Sequence, residues 1–355
     1  MTRKRVLIAP LDWGLGHATR CIPIIDELVK QGCEVFIASS GSALALLKKE
    51  YPLLQFFELP SYKATYSAQL PLMLSIFFQV PKFLEAINME HKQIEKIIAE
   101  HSIELVLSDN RFGCWSKNVP SVFITHQTKI QLPWILKGLQ PIINFFNHRF
   151  IKRFSECWIP DVSGESNLTG KLSESGALPV KHIGILSRLK KKPSDRVYDL
   201  TIMLSGPEPQ RAILEKIILT QLRQSNRKAL LIRGVIEENS KWTQEGEVQL
   251  VNYLQTDEIE KIINQSELIV VRSGYSTIMD LAKLGRKAVF IPTPGQTEQE
   301  YLAQRLMDNE IAFSMNQDEF NLAYAIDQSR GFKGFSNIEF GNELLNQAIT
   351  EVLEV

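Results

Sequence analysis

The sequence predicts an α/β protein made of two doubly wound, Rossmann-like domains. Short apolar runs rich in β-branched residues alternate with amphipathic helical stretches through most of the 355 residues, a pattern typical of parallel strands connected by helices. The alternation stops around residues 158–198, where small polar residues and the basic stretch LKKKPSDR appear, and then begins again. Each half is long enough to bury a core of its own.

The first predicted domain covers residues 1–160. Its strands are expected at 6–9, 34–38, 55–59, 105–107 and 122–125, where a few apolar residues end in polar loop residues. Helices are expected at 18–31 and 43–49, where apolar residues recur at helical spacing. Strands and helices in this order predict one doubly wound half.

The second predicted domain covers residues 161–337. Strands are expected at 199–204, 229–233, 247–253, 268–271 and 288–291, with helices at 209–224 and 277–284 and a further helix after the loop TPGQTEQE. Residues 338–355 read as one more amphipathic helix. Its apolar face consists of Leu344, Leu345, Ala348, Ile349 and Val352.

Composition and charge exclude several classes of protein. The 40 Lys and Arg residues balance 40 Asp and Glu residues, which argues against nucleic-acid binding driven by bulk charge. The four cysteines are scattered without a C-x-x-C pair, so neither a zinc site nor a disulfide framework is indicated, and a reducing compartment fits best. The N-terminal apolar run breaks at Pro10, and the most apolar stretch, 70–80, is about half the roughly 20 residues of a membrane-spanning helix. We therefore expect a cytoplasmic protein without a transmembrane segment.

The loop after the first strand, DWGLGHATR at 12–20, contains the first candidate site. Gly14 and Gly16 have the G-x-G spacing that lets a ligand approach the backbone, and His17 lies at the start of the next helix. The third glycine of a dinucleotide fingerprint is absent, and no acidic residue follows the second strand, so NAD is disfavoured. A neutral His17 can remove a proton from an attacking hydroxyl or water. The alternative is a helix-start histidine that bonds its own backbone.

Two loops of the second half are candidate ligand sites. LSGPEPQR at 204–211 is a glycine and proline turn between a strand and a helix, where anions are favoured, although any such turn can be purely structural. In VVRSGYSTIMD at 270–280, the backbone N–H groups of 273–277 can hold a phosphate and Asp280 can accept two ribose hydroxyls. Asp280 also suits the dipole of a first helical turn without a ligand. The loop TPGQTEQE offers sugar-binding or merely solvated side chains at Gln296, Glu298, Gln299 and Glu300.

Taken together, these residues resemble the nucleotide-sugar glycosyltransferases of the GT-B fold, most closely the MurG-type N-acetylglucosaminyltransferases of family 28. The similarity is concentrated in GLGH and in RSGYSTIMDLAKLGRKAVFIPTPGQTEQEYLA. The resemblance implies an N-terminal domain that binds the acceptor, a C-terminal domain that binds a UDP-sugar, and a cleft between the two. It also implies that the C-terminal helix crosses back to the first domain.

The resemblance assigns roles to particular residues. Asp280 falls where a carboxylate, usually Glu, binds the ribose, and Gln299 falls where a Gln contacts the donor sugar. Glu300 replaces a common second Gln, and the loop from Ser205 and Gly206 to Gln210 lacks the usual Gly-Gly-Ser, so the MurG subfamily itself is not indicated. The implied uracil contacts are backbone groups of Tyr253 and Leu254, and the remaining donor-side positions are Arg272, Ser273, Gly274, Ser276, Thr277 and Gln296. FITHQ places His126 on the acceptor side with Gly14 and Gly16.

The sequence contains no D-x-D tripeptide that would hold a divalent metal on the pyrophosphate. The resemblance therefore implies transfer of a hexose or N-acetylhexosamine from UDP without a metal or other cofactor. Helix dipoles and backbone N–H groups, helped by Arg272 or Arg233, would stabilise the leaving UDP. His17 would deprotonate the acceptor hydroxyl in an inverting displacement.

Two alternative functions remain open at this stage. GLGHATRC, with Arg20 three residues after His17, also resembles UDP-sugar hydrolases of bacterial nonulosonic acid synthesis, in which a similarly placed His would activate water. A catalytically silent sugar-nucleotide-binding protein is the third hypothesis, because the donor motif only indicates binding.

Two apolar stretches, 70–87 and 133–154, are the clues to the acceptor. In the second, Ile142, Phe146, Phe150 and Phe154 follow one side of a helix and Arg149, Lys152 and Arg153 another. Such a helix can lie on an anionic membrane, which would favour a polyprenyl-linked or glycolipid acceptor and a peripheral enzyme on the inner face of the membrane. The same pattern also fits a helix packed on the sheet.

Overall fold

The computed structural model describes residues 3–62, 79–176, 178–235, 241–335 and 343–354. The chain forms two compact units, one of Met1–Ser187 with Phe340–Val355 and one of Arg188–Glu339. The first unit therefore ends at Ser187 rather than at the predicted residue 160. The reason is that two short strands after residue 155 extend the first sheet.

The first unit is built on a seven-stranded parallel sheet with the order β3-β2-β1-β4-β5-β6-β7. Buried apolar strands at its centre pair on both sides, which fits a sheet covered on both faces. The strands are β1 (Arg5–Pro10), β2 (Glu34–Ser39), β3 (Gln55–Glu58), β4 (Leu105–Asp109), β5 (Ser121–Ile124), β6 (Glu156–Ile159) and β7 (Val180–His182). The helices are α1 (Gly16–Lys30), α2 (Gly41–Glu50), α3 (Val80–His101) and α4 (Gln140–Ile151), with 3-10 segments at Trp134–Leu139 and Gly170–Ser173.

The second unit has a seven-stranded sheet with the order β10-β11-β9-β8-β12-β13-β14. Its strands are β8 (Tyr198–Met203), β9 (Ala229–Ile232), β10 (Trp242–Glu245), β11 (Val248–Val251), β12 (Ser266–Val271), β13 (Ala288–Phe290) and β14 (Phe313–Ser314). The helices are α5 (Gln210–Leu222), α6 (Thr256–Asn264), α7 (Tyr275–Leu284), α8 (Thr297–Asp308) and α9 (Leu322–Ser329), with a 3-10 segment at Gln317–Glu319. The edge strand β10 runs antiparallel to β11, and the other pairs are parallel.

The C-terminal helix α10 (Glu343–Leu353) belongs to the first unit. It buries Leu345, Ala348, Ile349 and Val352, whereas Leu344 of the predicted apolar face stays exposed. Asn346 Nδ2 donates to Glu27 Oε1 on α1 at 2.5 Å, and the Lys181 ammonium lies 2.9 Å from Glu351. The expectation that this helix crosses back to the first domain is confirmed.

Each sheet has one point at which the strand order reverses. In the first unit this switch point lies between β1 and β4, and in the second it lies between β8 and β12. Loops that leave the carboxyl ends of two such strands diverge to opposite faces of the sheet, and the space between them is where open α/β sheets bind ligands. The sheet order thus selects four loops as candidate ligand-binding segments.

Candidate functional site

The switch point of the first unit brings His17 and Asp109 together. Pro10, the last residue of β1, is paired in register with Asp109, the last residue of β4. After β1 the chain turns through Gly14, whose φ of +75° favours glycine, and enters α1 at Gly16. His17 Nδ1 then lies 2.8 Å from Asp109 Oδ1. The alternative in which His17 bonds only its own backbone is therefore not what the structure has.

Arg20 is the third member of this site. It lies one turn after His17 on α1 and donates from Nε to Asp109 Oδ2 at 2.5 Å and from Nη2 to Asp109 Oδ1. Arg20 Nη2 also lies 2.9 Å from His17 Nδ1, and Arg20 Nη1 lies 2.9 Å from Nδ1 of His126, which follows β5. We call these four residues, His17, Arg20, Asp109 and His126, the switch-point cluster.

Burial and charge set the protonation states in the switch-point cluster. Burial alone would raise the pKa of Asp109, but the charge of Arg20, together with His17 and the hydrogen bonds from both residues, outweighs it and holds that pKa far below its usual range. Burial lowers the pKa of His17, Arg20 lowers it further, and Asp109 opposes both. Asp109 is therefore an anion and His17 a neutral imidazole at pH 7.

A second buried network holds the loop that precedes His17. Arg111 donates from Nε to the Pro10 carbonyl oxygen at 2.9 Å, from Nη2 to Ser40 Oγ at 2.6 Å and from Nη1 to Glu90 Oε1 at 2.6 Å. Arg111 and Glu90 are both fully buried. Because a buried ion pair with further hydrogen bonds fixes geometry, this network holds the end of β1 in place behind His17.

In the second unit, loops after β8 and β12 flank the switch point. Met203 at the end of β8 is paired with Val271 at the end of β12, so Ser205 and Gly206 follow one strand and residues 272–274 follow its neighbour. Gly206 has a φ of +104°, a conformation that favours glycine. Gly274 directly precedes α7, and a Cβ at this position would contact nothing within 4 Å. The position beside Gly274 is therefore open at the start of α7, where the N–H groups of a first helical turn lack partners within their own helix.

Arg272 lies beneath these loops, with 1% of its surface exposed. Its Nη1 donates to the carbonyl oxygens of Ile291 and Pro292 at 3.2 and 3.0 Å, and its Nη2 donates to Gln210 O at 3.1 Å and Gln317 Oε1 at 2.6 Å. Burial lowers its pKa to about 10. Arg272 thus connects the segments after β8, β13 and β14. Its four hydrogen bonds are all made to oxygen atoms of the protein.

The loop between β13 and α8 is closed by its own predicted sugar-binding residues. Gln299 Oε1 accepts from Thr293 N at 2.8 Å, and Glu300 Oε1 accepts from Gly295 N at 2.9 Å. Ser273 Oγ donates to the Gln299 carbonyl oxygen at 2.8 Å. Gln296 directly precedes α8. The side-chain oxygens of Gln299 and Glu300 therefore shape the loop, and the amide nitrogen of Gln299 makes no hydrogen bond to the described residues.

Asp280 lies deeper in its helix than the sequence predicts. α7 begins at Tyr275, so Asp280 is the sixth residue and lies beyond the first turn, while Ser276 and Thr277 lie within that turn. A helix dipole acts on charges mainly within the first turn. The placement of Asp280 in the first turn was wrong, and the dipole explanation for its carboxylate weakens with it.

The other donor-side positions differ in what they expose. Arg233 follows β9, and its Nε donates to Glu215 Oε1 at 2.6 Å, so its charge is already paired. Leu254 follows β11 with its side chain fully buried, which leaves only its backbone for a ligand. Tyr253 beside it is half-buried.

Part of the stretch 133–154 forms an exposed apolar face. Trp134 and Ile135 of the 3-10 segment are 83% and 68% exposed, and Ile142, Phe145 and Phe146 of α4 are also more than half exposed. Phe154 is buried against Phe123, and Phe150 packs against Phe112. The first half of the predicted stripe is therefore exposed, as a membrane-binding surface would be, and the second half packs on the sheet, as the alternative prediction has it. We call Trp134, Ile135, Ile142, Phe145 and Phe146 the apolar face.

The opposite side of α4 holds the loop that follows His126. Asn144 accepts from Ile130 N at 2.7 Å and donates to Ile130 O at 3.1 Å. Asn147 Nδ2 and His148 Nε2 both lie 3.0 Å from Thr128 O. These bonds to alternate residues of an irregular segment substitute for a strand partner, so α4 fixes the backbone next to the switch-point cluster.

The stretch 70–87 is only partly described. Residues 70–78 lie outside the described residues, and Val80 and Leu84 at the start of α3 are partly exposed. In the described part of the chain, the structure contains no helix with the length and apolar character needed to cross a bilayer.

Asp109 is the functional candidate that sequence reasoning missed. It ends a short apolar run, LVLSD, that looks like several others in the chain. It is 92 residues from His17 in sequence. Only the order of β1 and β4 in the sheet brings the two together, and the sequence alone gave no strand order.

Comparisons with known proteins agree with this architecture. Residues 209–333 match the glycosyltransferase family 28 C-terminal domain. An uncharacterized glycosyltransferase of Methanosarcina acetivorans is 24% identical over 83% of this chain and 81% of its own. The UDP-N-acetylglucosamine–N-acetylmuramyl-(pentapeptide) pyrophosphoryl-undecaprenol N-acetylglucosamine transferase of Haemophilus ducreyi is 22% identical over 89% of this chain and 86% of its own.

A solved structure extends the likeness to nearly the whole chain. The crystal structure of MurG from Acinetobacter baumannii superposes with a TM-score of 0.56 at 12% identity, covering 99% of both chains. Its likeness supports the fold of both units, and the family match supports the chemistry of the second. The chain is a glycosyltransferase with the GT-B fold, and its sequence and structure are similar to those of the MurG-type enzymes.

Proposed function

We propose that this enzyme transfers a hexose or N-acetylhexosamine from a UDP-sugar to an acceptor hydroxyl, with inversion and without a metal ion. The first unit supplies the base and binds the acceptor, and the second unit binds the donor. The relative from Haemophilus ducreyi, which by its name takes N-acetylglucosamine from UDP to a lipid-linked acceptor, supports the donor and the acceptor class.

The observation that carries this proposal is the contact between His17 and Asp109. Asp109 is an ionised acceptor 2.8 Å from His17 Nδ1, so it favours the tautomer in which Nδ1 carries the proton. His17 Nε2 then holds a lone pair and makes no hydrogen bond to the described residues. A neutral, oriented imidazole that is partly exposed has what a general base for an acceptor hydroxyl needs.

The loops at the second switch point suit a nucleoside diphosphate. Backbone N–H groups at 273–277 and the turn at Ser205 and Gly206 are donors for phosphate oxygens. Asp280 is the ribose ligand of the proposal, the backbone of Tyr253 and Leu254 meets the uracil, and Gln299 Nε2 contacts the sugar. Arg272 stabilises the leaving UDP through its buried charge rather than by contact, since its Nη groups are occupied.

The apolar face supports the proposal that the acceptor is lipid-linked. It adjoins exposed cations at Lys137, Arg149 and Lys152, and an apolar helix surface flanked by cations suits an anionic bilayer. Exposed apolar groups of this size cost solubility unless something covers them. We propose that this face binds the inner surface of the membrane peripherally and brings the enzyme to a polyprenyl-linked or glycolipid acceptor.

The hydrolase and the silent binding protein are the alternatives that the experiment must separate. His17 and Asp109 would also suffice to activate water, so the base alone does not distinguish transfer from hydrolysis. The relatives described above are glycosyltransferases by name, and a water-using enzyme has no need of the apolar face. Transfer is therefore the function that the residues and the relatives support best.

The first experiment measures donor binding and nucleotide release for UDP-, GDP- and TDP-sugars without acceptor. Asp280→Ala should weaken UDP-sugar binding about tenfold or more, because a charge-assisted hydrogen bond is lost, whereas the matched exposed Asp308→Ala should not. His17→Ala should bind donor normally and lose about 100-fold to 10,000-fold in transfer, with His182→Ala as its control. Fast UDP release without acceptor that depends on His17 would favour the hydrolase, and failure to bind any nucleotide would contradict the proposal.

A further inference from the structure

Arg20 makes more contacts than it needs to hold the carboxylate of Asp109. Its Nε and Nη2 already hold both oxygens of Asp109. Its Nη1 lies 2.9 Å from His126 Nδ1, and its Nη2 lies 2.9 Å from His17 Nδ1. One guanidinium therefore faces the same ring nitrogen of two histidines.

The proton on His126 follows from the chemistry of its partner. A guanidinium has only donors and stays charged in proteins, so a ring nitrogen at hydrogen-bond distance from it presents a lone pair unless a carboxylate also faces that nitrogen. His126 Nδ1 is therefore an acceptor, and the ring proton of the neutral histidine is on Nε2. His126 Nε2 is thus a donor and cannot act as a base.

The proton on His17 has the opposite position. Its Nδ1 faces both the Arg20 Nη2 donor and the ionised Asp109 Oδ1, the latter at 2.8 Å. A lone pair on His17 Nδ1 would face a negatively charged oxygen of Asp109 at hydrogen-bond distance. In a buried site this repulsion is costly. Because Arg20 Nη2 already has Asp109 Oδ1 as an acceptor, Nδ1–H donating to Asp109 satisfies all three groups.

We propose that Arg20 is a positioning residue that gives two histidines opposite tautomers, leaving His17 Nε2 as a base and His126 Nε2–H as a hydrogen-bond donor. Arg20 does this by holding Asp109 ionised for His17 with one edge of its guanidinium while donating to His126 from Nη1. The consequence for catalysis rests on the proposed function, in which His17 takes the acceptor proton. The tautomers themselves can be observed without substrate.

A pH dependence follows from the groups around His17. They are Arg20 on α1, Asp109 at the end of β4 and His126 after β5, and Cys21 on α1 contacts Asp109. Of these, Asp109 raises the pKa of His17, and Arg20 and His126 lower it. Removing the charge of Arg20 takes away the stronger of the two charges that oppose Asp109, so the pKa of His17 rises and less of the imidazole is neutral at a given pH. The acidic limb of the kcat/KM profile then moves to higher pH.

The test is nitrogen NMR of the free, histidine-labelled protein, with resonances assigned through His17→Ala and His126→Ala. In wild type, His17 should carry its proton on Nδ1 and His126 on Nε2. Arg20→Gln should raise the pKa of His17 above that of wild type and let His126 sample both tautomers. Lys30→Gln, at the exposed end of the same helix, should change neither.

Arg20→Lys separates charge from geometry and covers a failure of Arg20→Gln to fold. An ammonium keeps the positive charge but cannot bind Asp109 in a fork and reach His126 as well. We expect the pKa of His17 to stay near that of wild type while His126 loses its fixed tautomer. Equal tautomers on the two histidines in wild type, or an unchanged His126 in both Arg20 variants, would overturn the proposal. Opposite tautomers in a protein that transfers no sugar would instead contradict only the proposed function.

Discussion

At the scale of single residues, Asp109 determines what His17 can do. Alone at a helix start, an imidazole can take either tautomer. An ionised carboxylate 2.8 Å from Nδ1 fixes the ring and directs Nε2 outward as an acceptor. Arg20 keeps that carboxylate charged in a buried place, where burial alone would raise its pKa. The base therefore consists of three residues, two from α1 and one from the end of β4, and the histidine is only its partly exposed end.

Gly113 gives a test of how tightly the support of this site is packed. Gly113 N donates to Glu90 Oε2, and a Cβ at Gly113 would lie 2.4 Å from the Ile87 carbonyl oxygen and 2.6 Å from Glu90 Oε2. Gly113→Ala should lower the free energy of unfolding by about 1–3 kcal/mol through this clash. Gly138→Ala, where a Cβ meets nothing within 4 Å, should change it by less than about 0.5 kcal/mol. Urea unfolding of both variants checks this, and equal effects would contradict the packing described for Arg111 and Glu90.

At the scale of secondary-structure elements, helix α4 has two faces with separate roles. One face holds the backbone of Thr128 and Ile130 through Asn144, Asn147 and His148. The other carries Ile142, Phe145 and Phe146 into solvent. Because neighbouring positions point to different sides of a helix, a single turn supplies both functions. The apolar face and the loop after His126 thus lie on opposite sides of one rigid element.

The two faces predict opposite outcomes for adjacent substitutions. Asn144→Ala should lower the free energy of unfolding by about 1 kcal/mol, because the half-buried N–H and C=O groups of Ile130 lose their partner, and should leave vesicle binding unchanged. Phe145→Ser, at a side chain that is 64% exposed, should leave stability nearly unchanged and weaken binding to vesicles of anionic lipid. Cosedimentation and urea unfolding of both variants test the division. Unchanged vesicle binding in Phe145→Ser would remove the apolar face from the membrane proposal.

At the scale of the whole molecule, both candidate sites follow from strand order. Sequence periodicity predicted the central strands β1, β4, β8 and β12 and the loops after them, because buried parallel strands form recognisable apolar runs. The pattern did not predict β6 and β7, which are short, so the first unit was expected to end too early. It also did not predict β10, whose four residues are all exposed. Periodicity describes segments one at a time, and the pairing of His17 with Asp109 depends on which segments are neighbours.

The central claim is that a sugar moves from a nucleotide donor to an acceptor hydroxyl with His17 as the base. The most direct measurement incubates the purified full chain with UDP-hexose and UDP-N-acetylhexosamine donors carrying labelled sugar, together with a bacterial lipid extract, and follows the label by mass spectrometry. The account predicts a lipid product heavier by one sugar residue in wild type and in Lys30→Gln, and none in His17→Ala. Label that appears only as free sugar, or a lipid product that forms equally well in His17→Ala, would contradict it.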